Sequence, residues 1–142
     1  MFCKCDNLDL IDLISEYNVL LRRLTEQAWN ESSNIHITNS EWFIIANIYK
    51  NNTTISNVTK NVDISRQATH KFTKNLESKG LVEVYSSDIN KRDKCIRLTK
   101  FGEECFDKYT TLKGEIEEKI ACKIGNDRLD TLKDILRLNW VI

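Results

Sequence analysis

The sequence predicts a mainly α fold of about six helices with one β-hairpin, and three observations carry that reading. Apolar residues recur at steps of three and four through both ends of the chain, from Leu10 to Ala28 and from Cys105 to Leu136. That is the rhythm of helices that pack along one stripe. The chain has no proline and only four glycines, and Gly80 and Gly125 fall where a helical pattern stops. Between them the period drops to two. Val82 and Val84 alternate with Glu83 and Tyr85, a polar tip runs from Asp88 to Asp93, and Ile96 and Leu98 return on one face. Alternation on both sides of a polar turn makes a hairpin.

Each element has its own local signal. Leu10, Ile14, Tyr17, Leu21, Leu24 and Ala28 form a narrow a/d seam on a first helix from about Leu8 to Asn30. Such a seam suits packing against other helices, including those of a second subunit. Thr38 and Glu41 have the spacing of a capping box, and Ile37 and Trp42 that of a hydrophobic staple. The second helix they open, WFIIANIYK, is apolar nearly all round and is expected at the centre of the fold. A short third helix after Thr54 would bury Ile55, Val58 and Val62, with Asp63 and Ile64 as the turn. Ser65 is a good N-cap for the fourth helix. There Ala68, Phe72 and Leu76 stand four apart as the buried side, opposite Gln67, His70, Lys74 and Glu77, with Arg66 and Lys71 at the flanks. Thr99 can cap a fifth helix carrying Cys105, Tyr109, Leu112, Ile116 and Ile120. A sixth, from about Asp127, uses Leu129, Leu132, Leu136 and Trp140.

The order short helix, turn, helix, hairpin is that of a winged helix-turn-helix, which presents one helix to the DNA major groove and a β-ribbon beside it. Charge follows the same map. Residues 59–100 carry ten Lys/Arg against five Asp/Glu, whereas residues 1–58 carry four against seven and residues 101–142 seven against nine. A neutral chain with a basic middle is what a single phosphate-facing region produces.

Length and composition exclude other classes. With 142 residues the chain is one domain's worth, and its 41% hydrophobic and 30% charged residues are those of a globular protein. No apolar run approaches the roughly 18 residues of a membrane helix, and the N-terminus lacks the features of a signal peptide, so a cytoplasmic location without membrane association is expected. The five cysteines form neither a disulfide framework nor a zinc spacing and read as free thiols. His36 and His70 are too far apart in sequence to suggest a metal pair. No nucleophile–base constellation or phosphate-cradling glycine loop is present, so neither an enzyme nor a cofactor or metal site is expected.

The candidate DNA-binding residues lie on the fourth helix and the hairpin. Ser65 can both cap the helix and offer its hydroxyl to a phosphate, because a helix N-terminus presents free N–H donors. Arg66, Lys71 and Lys74 can reach phosphates, and the first two guanine edges as well. Gln67 suits adenine, and Thr69 and His70 a base or a thymine methyl. Lys91, Arg92 and Lys94 sit at the hairpin tip, where one arginine suits a narrow, electronegative minor groove. Lys60, Lys79, Arg97 and Lys100 read as phosphate contacts or background charge.

The run LESKGLVEV, then Asp88, Arg92 and the L-T-x-x-G of Leu98, Thr99 and Gly102, resembles the multiple-antibiotic-resistance regulator (MarR) family. The I-T-x-x-E-W of Ile37 to Trp42 and the six-helix order with one hairpin resemble it as well. The resemblance spans essentially the whole chain, with motif-grade specificity over Ile37–Gly102. It implies a dimeric transcription regulator on a pseudo-palindromic double-stranded operator. Residues 1–36 and 103–142 would be dimerisation helices and 37–102 the DNA-binding lobe of a single domain. It also implies release by a small-molecule effector, with Tyr17, Trp29, Trp42 and Tyr109 as aromatic candidates for its pocket. Some relatives sense oxidants through a cysteine near the first helix, which would point to Cys3 and Cys5 and a redox-sensing regulator. The family usually has an acidic residue two positions before the wing arginine, helping to brace it, and here that position is Asn90. A protein-interaction winged helix and a non-specific nucleic-acid binder are the alternatives from other classes. The polar, basic outer face of the fourth helix argues against the first.

Overall fold

Six α-helices and a three-stranded sheet make up the computed structural model, which describes residues 5–87 and 92–142. In chain order they are α1 (Leu10–Ser32), α2 (Asn39–Ile48), β1 (Thr53–Thr54), α3 (Ile55–Val62), α4 (Arg66–Ser78), β2 (Val82–Tyr85), β3 (Cys95–Leu98), α5 (Lys100–Ile124) and α6 (Asn126–Arg137). The expected hairpin is present, with Val82 opposite Leu98 and Tyr85 opposite Cys95. A third strand joins it. Thr53 and Thr54 pair antiparallel with Ile96 and Cys95, so the order is β1-β3-β2 with β3 in the middle. Two residues are too few to show a period, and β1 left no signal in the sequence.

The chain divides into two compact units, residues 30–109 and residues 1–29 with 110–142. In the first, side-chain caps set the helix starts. Thr38 Oγ1 accepts from the Glu41 N–H and Glu41 Oε1 accepts from the Thr38 N–H, closing the capping box at 3.2 and 3.0 Å. Ile37 and Trp42, the staple pair, are both buried. Thr54 caps α3 and Ser65 caps α4. Asp63, in the left-handed region at φ 55°, turns the chain between α3 and α4. The end of α4 closes in a Schellman pattern, Leu81 N–H to Leu76 O and Gly80 N–H to Glu77 O, both 3.0 Å, with Gly80 at φ 75°. Leu76 and Leu81, brought together there, are fully buried.

The core of this unit gathers Ile44, Ile45 and Ile48 of α2, Val58 of α3, Leu76 of α4, Leu81, and Ile96 of β3, each 0–1% exposed. Burying such a side chain stabilises by about 1.5–3 kcal/mol. Two expectations need correcting. The second helix is not buried all round, since Phe43 and Ala46 face outward. Val62 is only half-buried, because α3 ends there and the chain turns away.

Thr99 ties α5 to the sheet. Its side-chain oxygen accepts from the Gly102 N–H at 3.0 Å and its hydroxyl donates to Gly80 O at 2.6 Å. Its N–H donates to Leu81 O at 3.0 Å. This brings the first turn of α5 so close to Leu81 that a Cβ on Gly102 would lie 2.1 Å from the Leu81 carbonyl oxygen. The L-T-x-x-G pattern therefore has a steric cause. Threonine anchors the turn and only glycine fits against the carbonyl.

In the second unit the seam foreseen on α1 is left exposed by this chain. Leu10, Ile14, Tyr17, Leu21 and Leu24 are all at the surface, and so are Leu132, Ile135 and Leu136 of α6 and Trp140 beyond it. A Lys133–Glu117 pair at 3.1 Å links α6 to α5. Burial lowers the pKa of Lys113 on α5, with Arg22 nearby acting in the same direction. Among the described residues, no helix is long and apolar enough to cross a membrane.

Candidate nucleic-acid interface

The face that α4 presents is set by what its other side buries. Its inward residues are Thr69, Thr73 and Leu76, while Ala68 and Phe72 are only half-buried. Relative to the expected buried side this is a rotation of roughly 70°, at 100° per residue. Two threonines take the inward positions in place of the anticipated alanine and phenylalanine, and a hydroxyl bond ties one of them, Thr69, to α3. The Thr69 hydroxyl is satisfied there, whereas Thr73 Oγ1 is buried with no hydrogen-bond partner among the described residues. Thr59 Oγ1 donates to Thr69 Oγ1 at 2.9 Å, which donates to the Ser65 carbonyl at 3.0 Å. Thr69 is fully buried, so it is withdrawn from the base-contact set. Its role is to hold α4 against α3.

Rotation of the helix sorts the remaining candidates. Ser65, Arg66, Gln67, His70, Lys71 and Lys74 are all exposed. Arg66, His70, Lys74 and Glu77 turn toward the hairpin and line a cleft of about 880 Å³. Its other walls are Ile55, Ser56 and Thr59 of α3, Val84 of β2, and Arg92, Asp93 and Lys94 before β3. Gln67 and Lys71 lie outside that lining, toward the outer pole of the helix. The fold thus brings residues 18 to 24 positions apart in sequence, His70 and Lys74 with Arg92 and Lys94, onto one concave basic surface. Lys91 and Asn90 lie outside the described residues.

Two of the basic residues read as phosphate contacts or background charge are held in ion pairs. The Lys79 ammonium donates to both oxygens of Glu41 at 2.9 Å and to the His36 carbonyl at 2.7 Å. The Glu41 side chain is 1% exposed, so Lys79 is the counter-ion of a buried carboxylate. Arg97 stands opposite Glu83 across the β2–β3 ladder, pairs with it at 2.9 Å, and lies over the Tyr85 ring. The hydrogen bond to Glu83 raises its pKa above the usual arginine value.

Sequence reasoning missed Ser56, Thr59 and Asp93, which line the same cleft. Ser56 Oγ donates to Asp93 Oδ1 at 2.9 Å, and the Ile55 N–H donates to Lys94 O at 2.9 Å. Contacts of this kind, spanning 37 residues for Ser56 and Asp93, leave no local pattern to read.

The other candidates fall elsewhere. Trp42 and Tyr109 are buried and stacked face to face, centroids 3.9 Å apart and planes 3° from parallel. They belong to the core of residues 30–109, while Trp29, also buried, and Tyr17, exposed, belong to the other unit. Cys3 and the side chain of Cys5 lie outside the described residues. Burial raises the pKa of the Cys105 thiol, which makes it a poor nucleophile. No cluster of three or more metal-ligating side chains occurs among the described residues.

Residues 37–102 match the winged helix DNA-binding domain family, the same stretch that holds the helix-turn-helix and the sheet. Over the whole chain, a structure of an E. coli MarR mutant superposes with a TM-score of 0.78 at 22% identity, covering 93% of this chain and 96% of that one. The same mutant complexed with operator DNA superposes at 0.76 and 22% identity, with 96% of each chain covered. The chain has the MarR fold. MepR, a transcription regulator of the Staphylococcus aureus multidrug efflux pump MepA, also superposes on this MarR-fold chain, with a TM-score of 0.74 and 19% identity over 91% of it and 94% of MepR. No curated protein matches the sequence. Within the MarR fold, the segment that carries Arg92 and the helix that carries His70 both lie in the residues that match the winged helix domain family.

Proposed function

We propose that this protein is a dimeric, MarR-family transcription regulator that binds a pseudo-palindromic DNA operator. The observation that carries the reading is the shared cleft. Arg66, His70 and Lys74 of α4 and Arg92 and Lys94 of the wing line it together, on a domain that matches a DNA-binding winged helix family. In this reading α4 enters the major groove, with Gln67 and Lys71 at its outer pole toward base edges and Arg66 and Lys74 toward phosphates. Ser65 adds the free N–H groups of the α4 N-terminus, a natural phosphate site. Arg92 takes the adjacent minor groove, where a narrow A·T-rich tract concentrates negative potential.

Selection of duplexes from a randomised pool by the purified protein tests this directly. One or a few related sequences should be enriched and should survive competition with excess non-specific DNA at physiological salt. Against such a duplex, Arg92→Ala is expected to weaken binding by roughly 1–3 kcal/mol. Unchanged affinity at moderate salt would remove the wing from the interface.

The dimer is supported by the exposed apolar residues of α1 and α6, which a monomer would leave in water. Sedimentation at micromolar concentration should give twice the 16.6 kDa of one chain. A monomer would break the argument for two half-sites about one helical turn, near 10 base pairs, apart. Release by an effector would require a ligand that binds better to a form mismatched with the operator.

A further inference from the structure

We infer that Ser56 and Asp93 are positioning residues that set the wing at a fixed distance from the recognition helix, and so place Arg92 in the minor groove. The inference rests on the DNA-binding reading above and concerns residues that none of the DNA contacts there includes.

The geometry forms a continuous strut. Asp93 follows Arg92 directly in sequence, and its carboxylate accepts the Ser56 hydroxyl at 2.9 Å in the first turn of α3. One residue on, the Lys94 carbonyl accepts the Ile55 N–H at 2.9 Å, and Cys95 then pairs with Thr54, the residue that caps α3. Three successive residues at the base of the wing are therefore tied to three successive residues at the start of α3. The other side of α3 is tied to α4 through the Thr59–Thr69 hydroxyl bond. A displacement of residues 93–95 relative to α4 must break one of these links, and Arg92 is the residue joined directly to them.

Electrostatics explain why an acidic residue is tolerated in a cleft meant for phosphate. The first turn of α3 has no acidic residue of its own, and a helix N-terminus favours a nearby negative charge. Asp93 supplies that charge from the wing, so its carboxylate is directed to the α3 N-terminus. A carboxylate that only lined the cleft would repel DNA, and its loss would strengthen binding. A carboxylate that holds the strut gives a different signature, because the neutral change on its partner weakens binding.

The test uses the full-length protein and the duplex enriched by the wild type from a randomised pool. Ser56 is exposed on a helix, so Ser56→Ala alters no net charge and is compatible with the fold. Ser56→Ala should weaken binding to that duplex by roughly three- to tenfold, the range for losing one ordinary hydrogen bond, since solvent at this exposed site offsets the extra strength of a charged acceptor. Ser56→Thr, which keeps the hydroxyl, should restore it. In an Arg92→Ala background the Ser56→Ala loss should disappear, because the strut acts only through the arginine it places. Asp93→Asn keeps an acceptor oxygen and should bind at least as well as wild type. Wild-type affinity in Ser56→Ala, or a loss of equal size with and without Arg92, overturns the inference while leaving the DNA-binding reading intact. Failure of the wild type to enrich any duplex overturns that reading, and the inference with it.

Discussion

Gly102→Ala is expected to destabilise the protein by about 3 kcal/mol, at the upper end of the range for forcing an extra methyl into a packed site. The added Cβ would meet the Leu81 carbonyl oxygen at 2.1 Å. That oxygen is backbone, fixed by the Thr99 N–H at 3.0 Å, so it has no flexible way to yield. Either α5 shifts at its first turn or the link from Leu81 to Thr99 breaks, and both disturb the base of the wing. A fall in melting temperature of roughly 10 °C should follow for a chain of this size. Gly114 provides the control on the same helix. A Cβ there meets nothing within 4 Å, so Gly114→Ala should stabilise by about 0.5–1 kcal/mol through the better helix propensity of alanine. Urea unfolding of the two variants should move the midpoint in opposite directions, and equal shifts would refute the steric account.

The second large effect is expected from Lys79→Met, which keeps the apolar stem and removes the ammonium. The Glu41 carboxylate is almost fully buried, and Lys79 is the only counter-ion seen for it among the described residues. Removing one partner of a buried pair costs about 3–5 kcal/mol, because the remaining charge is left in a poor solvent. Lys79 is itself about a quarter exposed, so the loss should fall near 3 kcal/mol. The His36 carbonyl would lose its donor as well. Arg97→Met offers the contrast. Its pair with Glu83 is exposed on both sides and should contribute little to the urea midpoint. A Lys79→Met protein as stable as wild type would show that the Thr38 N–H alone satisfies the carboxylate.

Both predictions concern residues whose importance was only half visible in the sequence. Glu41 was legible as the third position of a capping box, because caps act over three residues and leave a local pattern. Its second partner, 38 residues away, was not. Gly102 was legible as part of a recurring L-T-x-x-G. The reason for glycine there needed the Leu81 carbonyl, which the Schellman turn at Gly80 brings into contact with α5. The same limit explains Thr69. Polarity placed it on the outer face of α4, whereas a hydroxyl that finds a partner in Thr59 is as easily buried as an alanine.

Periodicity and caps, which act within one or two turns, were enough to set the helices, the hairpin, the turn at Asp63 and the basic character of residues 59–100. These features depend on backbone groups satisfied by near neighbours and on stripes of apolar residues, so they are written in short spacings. Long-range packing settled the remainder. It set the rotation of α4 that sends His70 toward the wing and leaves Gln67 and Lys71 at the outer pole. It added β1 to the edge of β3, and it drew Lys79 and Arg97 into ion pairs. It also tied Asp93 to Ser56. The physical reason is one of scale. A helix face is determined by the side chains it meets, and those come from segments tens of residues away whose approach no local pattern encodes.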